Sequence, residues 1–303
     1  MGFLHLLEDI RIPVLNEFML GITYLGDEIA FLVVALILMW CADKKSAYFV
    51  LSVGFLGTIF NQFLKLWFRV PRPWIMDENF TIIEQAREGA SGYSFPSGHT
   101  QSAVGTFGGI ASITKNKLLK GLCIAAAIIV PFSRMYLGVH TPLDVGVSII
   151  IAIALIFLLK KILLGENERV IPVLWGIMVV IAIGFVCFVE FFPFPEDTDL
   201  HNLESGLKNA YTLLGSISGM VIVYFVDKKW LNFPTKAVWW AQIVKVMIGL
   251  GIVLAIKSGL KAPLDAIFGE LPGRAVRYAV LVLVAGIVWP LSFRWFAKLG
   301  TKE

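Results

Sequence analysis

Eight residues in three short clusters, Lys65, Arg72, Ser97, Gly98, His99, Arg134, His140 and Asp144, have the types and spacing to work on a bound anion. In "KLWFRVPRP", Lys65 is followed six residues later by Arg72 and Pro73. In "PSGH", Ser97 and Gly98 stand before His99. In "SRMYLGVHTPLD", Ser133 and Arg134 are followed after five residues by His140, and after three more by Asp144. Two arginines and a lysine can neutralise the oxygens of a phosphate-like group, arginine doing so two at a time. Histidine moves protons near neutral pH, and a carboxylate beside it fixes the tautomer. A helix opening at Ser97 would point free N–H groups of Ser97, Gly98 and His99 outward, with the positive end of the helix dipole behind them. Glycine at 98 lets an anion approach the backbone closely.

Taken singly, each cluster has an ordinary structural explanation. Lys65, Arg69 and Arg72 could snorkel at a helix end. Ser97 could be an N-cap alone. Thr141, Pro142 and Asp144 have the pattern of an N-cap, an N1 proline and an N3 acid. The combination decides for chemistry: two of the four histidines fall inside these clusters, each at the end of an apolar stretch.

The elements that must position these groups are membrane helices. Of the 303 residues, 57% are hydrophobic and 16% charged, against about 25% charged in soluble domains. Nine apolar runs approach a membrane-spanning length: 21–41, 46–68, 98–114, 118–132, 143–159, 171–191, 205–226, 237–256 and 275–295. A span needs about 20 residues. The expected fold is therefore all-α, a polytopic membrane helical bundle. The N-terminal segment mixes apolar and charged residues around Pro13. It predicts an interfacial helix rather than a signal peptide, having no basic start and no small-residue cleavage site.

Lysine and arginine in short connections mark the cytoplasmic side. Lys44 and Lys45; Lys115, Lys117 and Lys120; Lys160, Lys161 and Arg169; Lys228, Lys229 and Lys236; and Arg294, Lys298 and Lys302 fall at alternate helix ends. This predicts an external N-terminus, a cytoplasmic C-terminus and all three clusters on the external face. Lys257, Lys261, Arg274 and Arg277 break the pattern. The net charge of +4 decides little, because placement outweighs total in a membrane chain.

The three clusters resemble the three signature motifs of the type 2 phosphatidic acid phosphatase superfamily, complete and in order. The resemblance covers about residues 10–160, and the flanking "ITYLGDE" and "SRMYLGVHTPLDV" are similar to its bacterial membrane branch. Every cluster falls in the first six helices, which gives a phosphatase core at 1–191; the three further helices at 192–303 form an accessory region that departs from the six-helix lipid phosphatases. The extra helices are reminiscent of glucose-6-phosphatase and sphingosine-1-phosphate phosphatase relatives. The resemblance further implies His140 as nucleophile, Asp144 as its orienting carboxylate and His99 as the acid and base. Lys65, Arg72, Ser97, Gly98 and Arg134 would bind the phosphoryl oxygens. A lipid phosphate or lipid pyrophosphate is the implied substrate, hydrolysed through a phosphohistidine without metal or other cofactor. No nucleic-acid partner is expected, and a homo-oligomer is left open. A lipid phosphotransferase is the alternative enzyme. A transporter or lipid-binding protein is the non-enzyme alternative, against which the intact His99, His140 and Asp144 argue.

The remaining polar residues are open between support and packing. Asn61 and Gln62 lie one turn before Lys65 and suit either a supporting role or interhelical bonding. Asp27 and Glu28 are placed near the outer interface. Lys245 falls mid-span and needs a partner; a structural pair is expected. Cys41, Cys123 and Cys187 are taken as packing residues, His5 and His201 as surface residues, and the Gly105–Gly109 and Gly215–Gly219 spacings as close helix contacts. The polar stretch 76–91 is a candidate lid.

Overall fold

The structure is a computed structural model that describes residues 1–90 and 92–299. Ser91, at the end of the polar stretch, and Lys302, in the last basic group, lie outside the described residues. Helices carry the whole fold, and there is no strand among the described residues.

The N-terminal segment is two helices, α1 (Gly2–Asp9) and α2 (Pro13–Thr23), rather than one. Pro13 lacks an N–H and sits at the first helical position, so it starts a helix and cannot continue one. Then follow α3 (Glu28–Cys41), α4 (Lys44–Phe68), α5 (Pro73–Met76), α6 (Gly98–Ala103) and α7 (Gly109–Ile113). A wide π turn at Val104–Gly108 joins α6 to α7. Next come α8 (Lys117–Tyr136), α9 (Pro142–Leu163), α10 (Val170–Phe191), α11 (Leu200–Val226), α12 (Trp239–Gly259), α13 (Lys261–Phe268), α14 (Glu270–Leu283) and α15 (Phe293–Lys298).

Among the described residues, seven helices are long and apolar enough to cross a membrane, and an eighth span arises if one bent pair is counted. Two of the nine expected spans differ. Run 21–41 is broken: residues Pro13–Gly26 and Glu28–Cys41 meet at 54°. Asp27 takes an extended conformation there, and its carbonyl accepts the Phe31 N–H to open α3. Run 98–114 is a helix over 98–113, shorter than the roughly 20 residues a straight span requires.

The chain packs as two compact units that interleave along the sequence. The first holds Met1–Val34, Phe49–Leu164 and Phe194–Ser205; the second holds Ala35–Tyr48, Gly165–Pro193 and the chain from Gly206 on.

In the first unit, α4 runs antiparallel to α6 and α7 along a row of small residues. A Cβ on Gly57 would lie 2.4 Å from Gln101 Nε2, one on Gly105 3.2 Å from Val53, and one on Gly109 3.6 Å from Phe49. Gly105 thus permits the close approach expected of it, while Gly109 is in ordinary contact. At its C-terminal end α4 stops at Arg69, whose φ of 49° turns the chain back toward Arg72 at a cost of about 1–2 kcal/mol for a residue with a Cβ. The polar stretch packs as a strap. Ala86 and Ala90 are buried with Met19, Leu20, Tyr136, Leu137 and Val139, and the Ile83 N–H donates to the Leu137 carbonyl at 3.1 Å. His5, half-buried, bonds Asp77 at 2.9 Å and ties α1 to the strap, while His201 is exposed.

In the second unit, α11 and α14 run parallel with backbones nearly touching. A Cβ on Gly215 would fall 2.1 Å from the Ala275 carbonyl oxygen, and one on Gly219 3.0 Å from that of Ala279. Lys245, 1% exposed, donates to the carbonyls of Trp40 at 2.7 Å and Thr235 at 3.1 Å and lies over the Phe293 ring. Its partners are therefore backbone dipoles, not a carboxylate. Cys123, in the first unit, is buried as expected of a packing residue, but Cys187 is exposed, so packing does not account for it.

Candidate active site

The first unit brings all eight motif residues into its own fold. Local capping sets α9 first. Pro142 occupies the first helical position, Thr141 Oγ1 accepts the Asp144 N–H, and Asp144 Oδ2 accepts the Thr141 N–H at 2.7 Å. The same oxygen accepts the Ser94 hydroxyl at 2.6 Å. His140 Nδ1 stands 3.5 Å from it, a charge contact longer than a hydrogen bond. His140 and Asp144 are 2% and 1% exposed, so little water screens them.

Arg72 lies against the imidazole. Its Nη1 lies 3.0 Å from His140 Nε2 and 3.5 Å from Nδ1 and donates to the Val139 carbonyl at 2.8 Å, while its Nε donates to the Gly92 carbonyl at 2.8 Å. A guanidinium has only donors. Nε2, the nearer nitrogen, is therefore the acceptor side, and a proton on Nδ1 faces Asp144. Burial first, and then the Arg72 guanidinium, push the imidazole well below its ordinary value of 6.5. A neutral ring with an unprotonated Nε2 is the form a nucleophilic histidine needs.

The PSGH turn is fastened to α9 by its backbone. The Ser97 N–H donates to the Asp144 carbonyl at 3.2 Å, so it is not one of the free N–H groups expected at this helix start, and the Ser148 hydroxyl donates to the Ser97 carbonyl at 2.9 Å. Ser97 caps α6, its Oγ accepting the Thr100 N–H at 3.4 Å. The side-chain position of Gly98 is open: a Cβ there would meet only Asn61 Oδ1, at 3.8 Å. Asn61 is 1% exposed, and both ends of its amide lack a partner among the described residues. It therefore faces the start of α6, which favours the supporting role over an interhelical bond.

Two more cations reach the site on backbone tethers. Lys65 Nζ donates to the Tyr93 carbonyl at 2.6 Å. Arg134, 1% exposed, donates to Thr23 Oγ1 at 2.7 Å and to the Gly89 carbonyl at 3.2 Å, and its Nε is sealed without a partner among the described residues. The strap thus touches the site through Gly89.

His99 has a partner that sequence spacing did not pair with it. Its Nε2 lies 2.7 Å from Asp27 Oδ1, in the break between α2 and α3. Gly26 permits this approach, because a Cβ there would fall 2.8 Å from the His99 carbonyl oxygen. The available signal was an acid following glycine inside an apolar run; its distance along the chain from His99 hid the pairing. Ser94 was missed for a similar reason, being an unremarked serine before the turn.

Residues 45–168 match the PAP2 superfamily, and residues 211–302 match the PAP2 superfamily phosphatase, transmembrane extension. The chain is 30% identical over 151 residues to Undecaprenyl-diphosphatase BcrC of Bacillus subtilis (strain 168), covering 48% of this chain and 73% of that protein. It is 32% identical over 175 residues to Phosphatidylglycerophosphatase B of the same organism, covering 53% of this chain and 79% of that protein. No solved structure matches the chain significantly.

Proposed function

Because the chain belongs to the PAP2 superfamily, we propose that it is a membrane phosphatase that hydrolyses a lipid phosphate or lipid pyrophosphate through a phosphohistidine at the external face. The observation that carries this is the setting of His140: Asp144 Oδ2 lies 3.5 Å from its Nδ1, and Arg72 Nη1 lies 3.0 Å from its Nε2 and 3.5 Å from its Nδ1. Nε2 attacks phosphorus in line, and the bond from phosphorus to the lipid oxygen breaks. The imidazole becomes cationic, and Asp144 stabilises it. His99 delivers a proton to the departing oxygen. Water then attacks the phosphohistidine and gives its proton to His99, releasing phosphate and restoring His140.

Lys65, Arg72 and Arg134 neutralise the phosphoryl oxygens, and the Ser97 hydroxyl and Gly98 N–H add hydrogen bonds. Fixed cations thus supply the charge that metal ions bring in other phosphoryl-transfer enzymes. The alternating basic connections support an external site and a cytoplasmic C-terminus. All eight motif residues precede 191, so we assign the chemistry to 1–191 and an accessory role to 192–303. The strap is assigned the role of a lid.

The two relatives are named for a diphosphate lipid and for phosphatidylglycerophosphate, so both belong in the test. Purified protein in excess chelator should release phosphate from one of them without an acceptor, and vanadate should inhibit. Acid-labile phosphate should be trapped on the wild type and be absent from His140→Ala. Activity that returns only with added magnesium overturns the metal-free mechanism; a trapped phosphoryl group on His140→Ala overturns the nucleophile. For the orientation, single cysteines at 84 and 117 decide: labelling of 117 and not 84 on intact cells by an impermeant reagent reverses it.

A further inference from the structure

The second unit contains a buried charge whose hydrogen bonds the described residues leave largely unmade. Arg277, in α14, is 4% exposed, and its Nε and Nη1 are sealed from the surface with no hydrogen-bond partner among the described residues. It lies on the packed face of the helix, in line with buried Gly273 and Leu281. It therefore does not point outward from the bundle in the manner of a snorkelling side chain. Its guanidinium carbon lies 5.7 Å from the centre of the Tyr278 ring, but a buried guanidinium with two nitrogens lacking a hydrogen-bond partner is costly, and an ionisable group inside an apolar helical region is a candidate site.

Charge placement gives independent support. Lys257, Lys261, Arg274 and Arg277 are the four residues that break the alternation of basic connections. They all fall in one stretch, from the end of α12 through α13 to α14, where the only acids are Asp265 and Glu270. α13 lies against the Arg277 face of α14: a Cβ on Gly273 would fall 2.7 Å from the Leu264 carbonyl oxygen and 3.1 Å from Asp265 Cα. Asp265 Oδ1 is itself sealed and without a partner among the described residues. Arg274, one turn before Arg277, is held by Thr212 Oγ1 at 2.8 Å, and Glu270 lies 3.8 Å from Lys208. Over 257–277 four basic residues stand against two acids.

We propose that Arg277 and Arg274, at the α13–α14 hairpin, bind the phosphate group of an anionic membrane lipid. Arginine presents a planar fork that takes two phosphate oxygens at once. A phosphate could come from a headgroup or from solution. The surroundings favour the headgroup, because Leu254, Ile267 and Phe268 are exposed apolar residues on α12 and α13 and suit acyl chains. The site goes beyond the phosphatase activity and does not depend on it.

The test uses the full chain in detergent micelles, with thermal unfolding followed as phosphatidylglycerol, phosphatidylcholine or inorganic phosphate is added. Wild type, Arg277→Gln and Asp265→Asn are compared. Phosphatidylglycerol should raise the Tm of the wild type and of Asp265→Asn, and phosphatidylcholine should not. Arg277→Gln should need roughly ten- to a hundredfold more phosphatidylglycerol for the same rise, the loss of one charge-assisted hydrogen bond. An equal response of wild type and Arg277→Gln overturns the proposal, as does a wild type indifferent to phosphatidylglycerol. A rise given equally by inorganic phosphate and lost in Arg277→Gln overturns the lipid assignment. Loss of the response in Asp265→Asn as well shows an internal Arg277–Asp265 pair instead. Should Arg277→Gln fail to fold, Arg274→Gln carries the same comparison. The eight motif residues are intact in every variant, so failure of the phosphatase proposal leaves this result readable.

Discussion

Replacing Asp27 by asparagine isolates the one partner of His99 that the motifs do not contain. Asp27 Oδ1 lies 2.7 Å from His99 Nε2, and the two side chains are 36% and 16% exposed. A hydrogen bond to a charged group contributes about 1.5–3 kcal/mol, and a neutral one about 0.5–1.5. Asparagine keeps the volume and a neutral acceptor, so the net loss is about 1–1.5 kcal/mol. At 1.36 kcal/mol per tenfold in rate, that is roughly five- to fifteenfold. The loss should fall on the step in which His99 gives up its proton, and that step matters only where the departing oxygen is strongly basic. The assay is kcat/KM, which reports steps through the first irreversible one, for a lipid alkyl phosphate and for p-nitrophenyl phosphate. Asp27→Asn should lower the first about five- to fifteenfold and change the second less than about twofold. An equal loss on both substrates would mean that Asp27 supports the fold or the phosphate and not the proton. No loss on either would remove it from the reaction.

Three other outcomes follow from the geometry. Ser94→Ala removes the 2.6 Å donor to Asp144 Oδ2 and should lower turnover roughly tenfold and stability by about 1–3 kcal/mol, read by phosphate release and thermal unfolding; an unchanged pair of values would show that the Thr141 N–H alone holds the carboxylate. His140 is held neutral well below 6.5, so below that pH the unfolded chain takes up a proton that the folded site refuses, and stability falls as pH drops. The acid limb of kcat/KM should accordingly lie below 6.5, and a limb at or above that value would contradict the buried neutral imidazole. Gly215→Val places side-chain atoms where a Cβ alone would be 2.1 Å from the Ala275 carbonyl; it should cost about 1–3 kcal/mol or more by overpacking, and an unchanged Tm would refute the close crossing of α11 and α14.

What could be read from sequence was what short-range chemistry encodes. Thr141, Pro142 and Asp144 specify a helix start within four residues, and the structure builds it with both reciprocal bonds present. The motif residues share this locality: each cluster lies at a chain reversal whose turn and cap are set by its neighbours. What could not be read was pairing across the chain. Asp27 looked like an interfacial acid because nothing near it in sequence requires His99, and the apolar run 21–41 concealed the break that aims it there. Apolar runs also name no packing partner. Residues 35–48 belong to the same unit as the chain after 206, joined by Trp40 Nε1 to the Ala285 carbonyl at 2.9 Å and by Lys44 to Asp227 at 2.8 Å. Hydropathy is blind to such choices, because any two apolar faces satisfy it equally; the discriminating features are single polar atoms and glycines. Buried Trp40, Lys245 and Gly215 are therefore where the second unit specifies its own packing. Arg277 is a buried polar group of the same kind for which the described chain supplies no such partner.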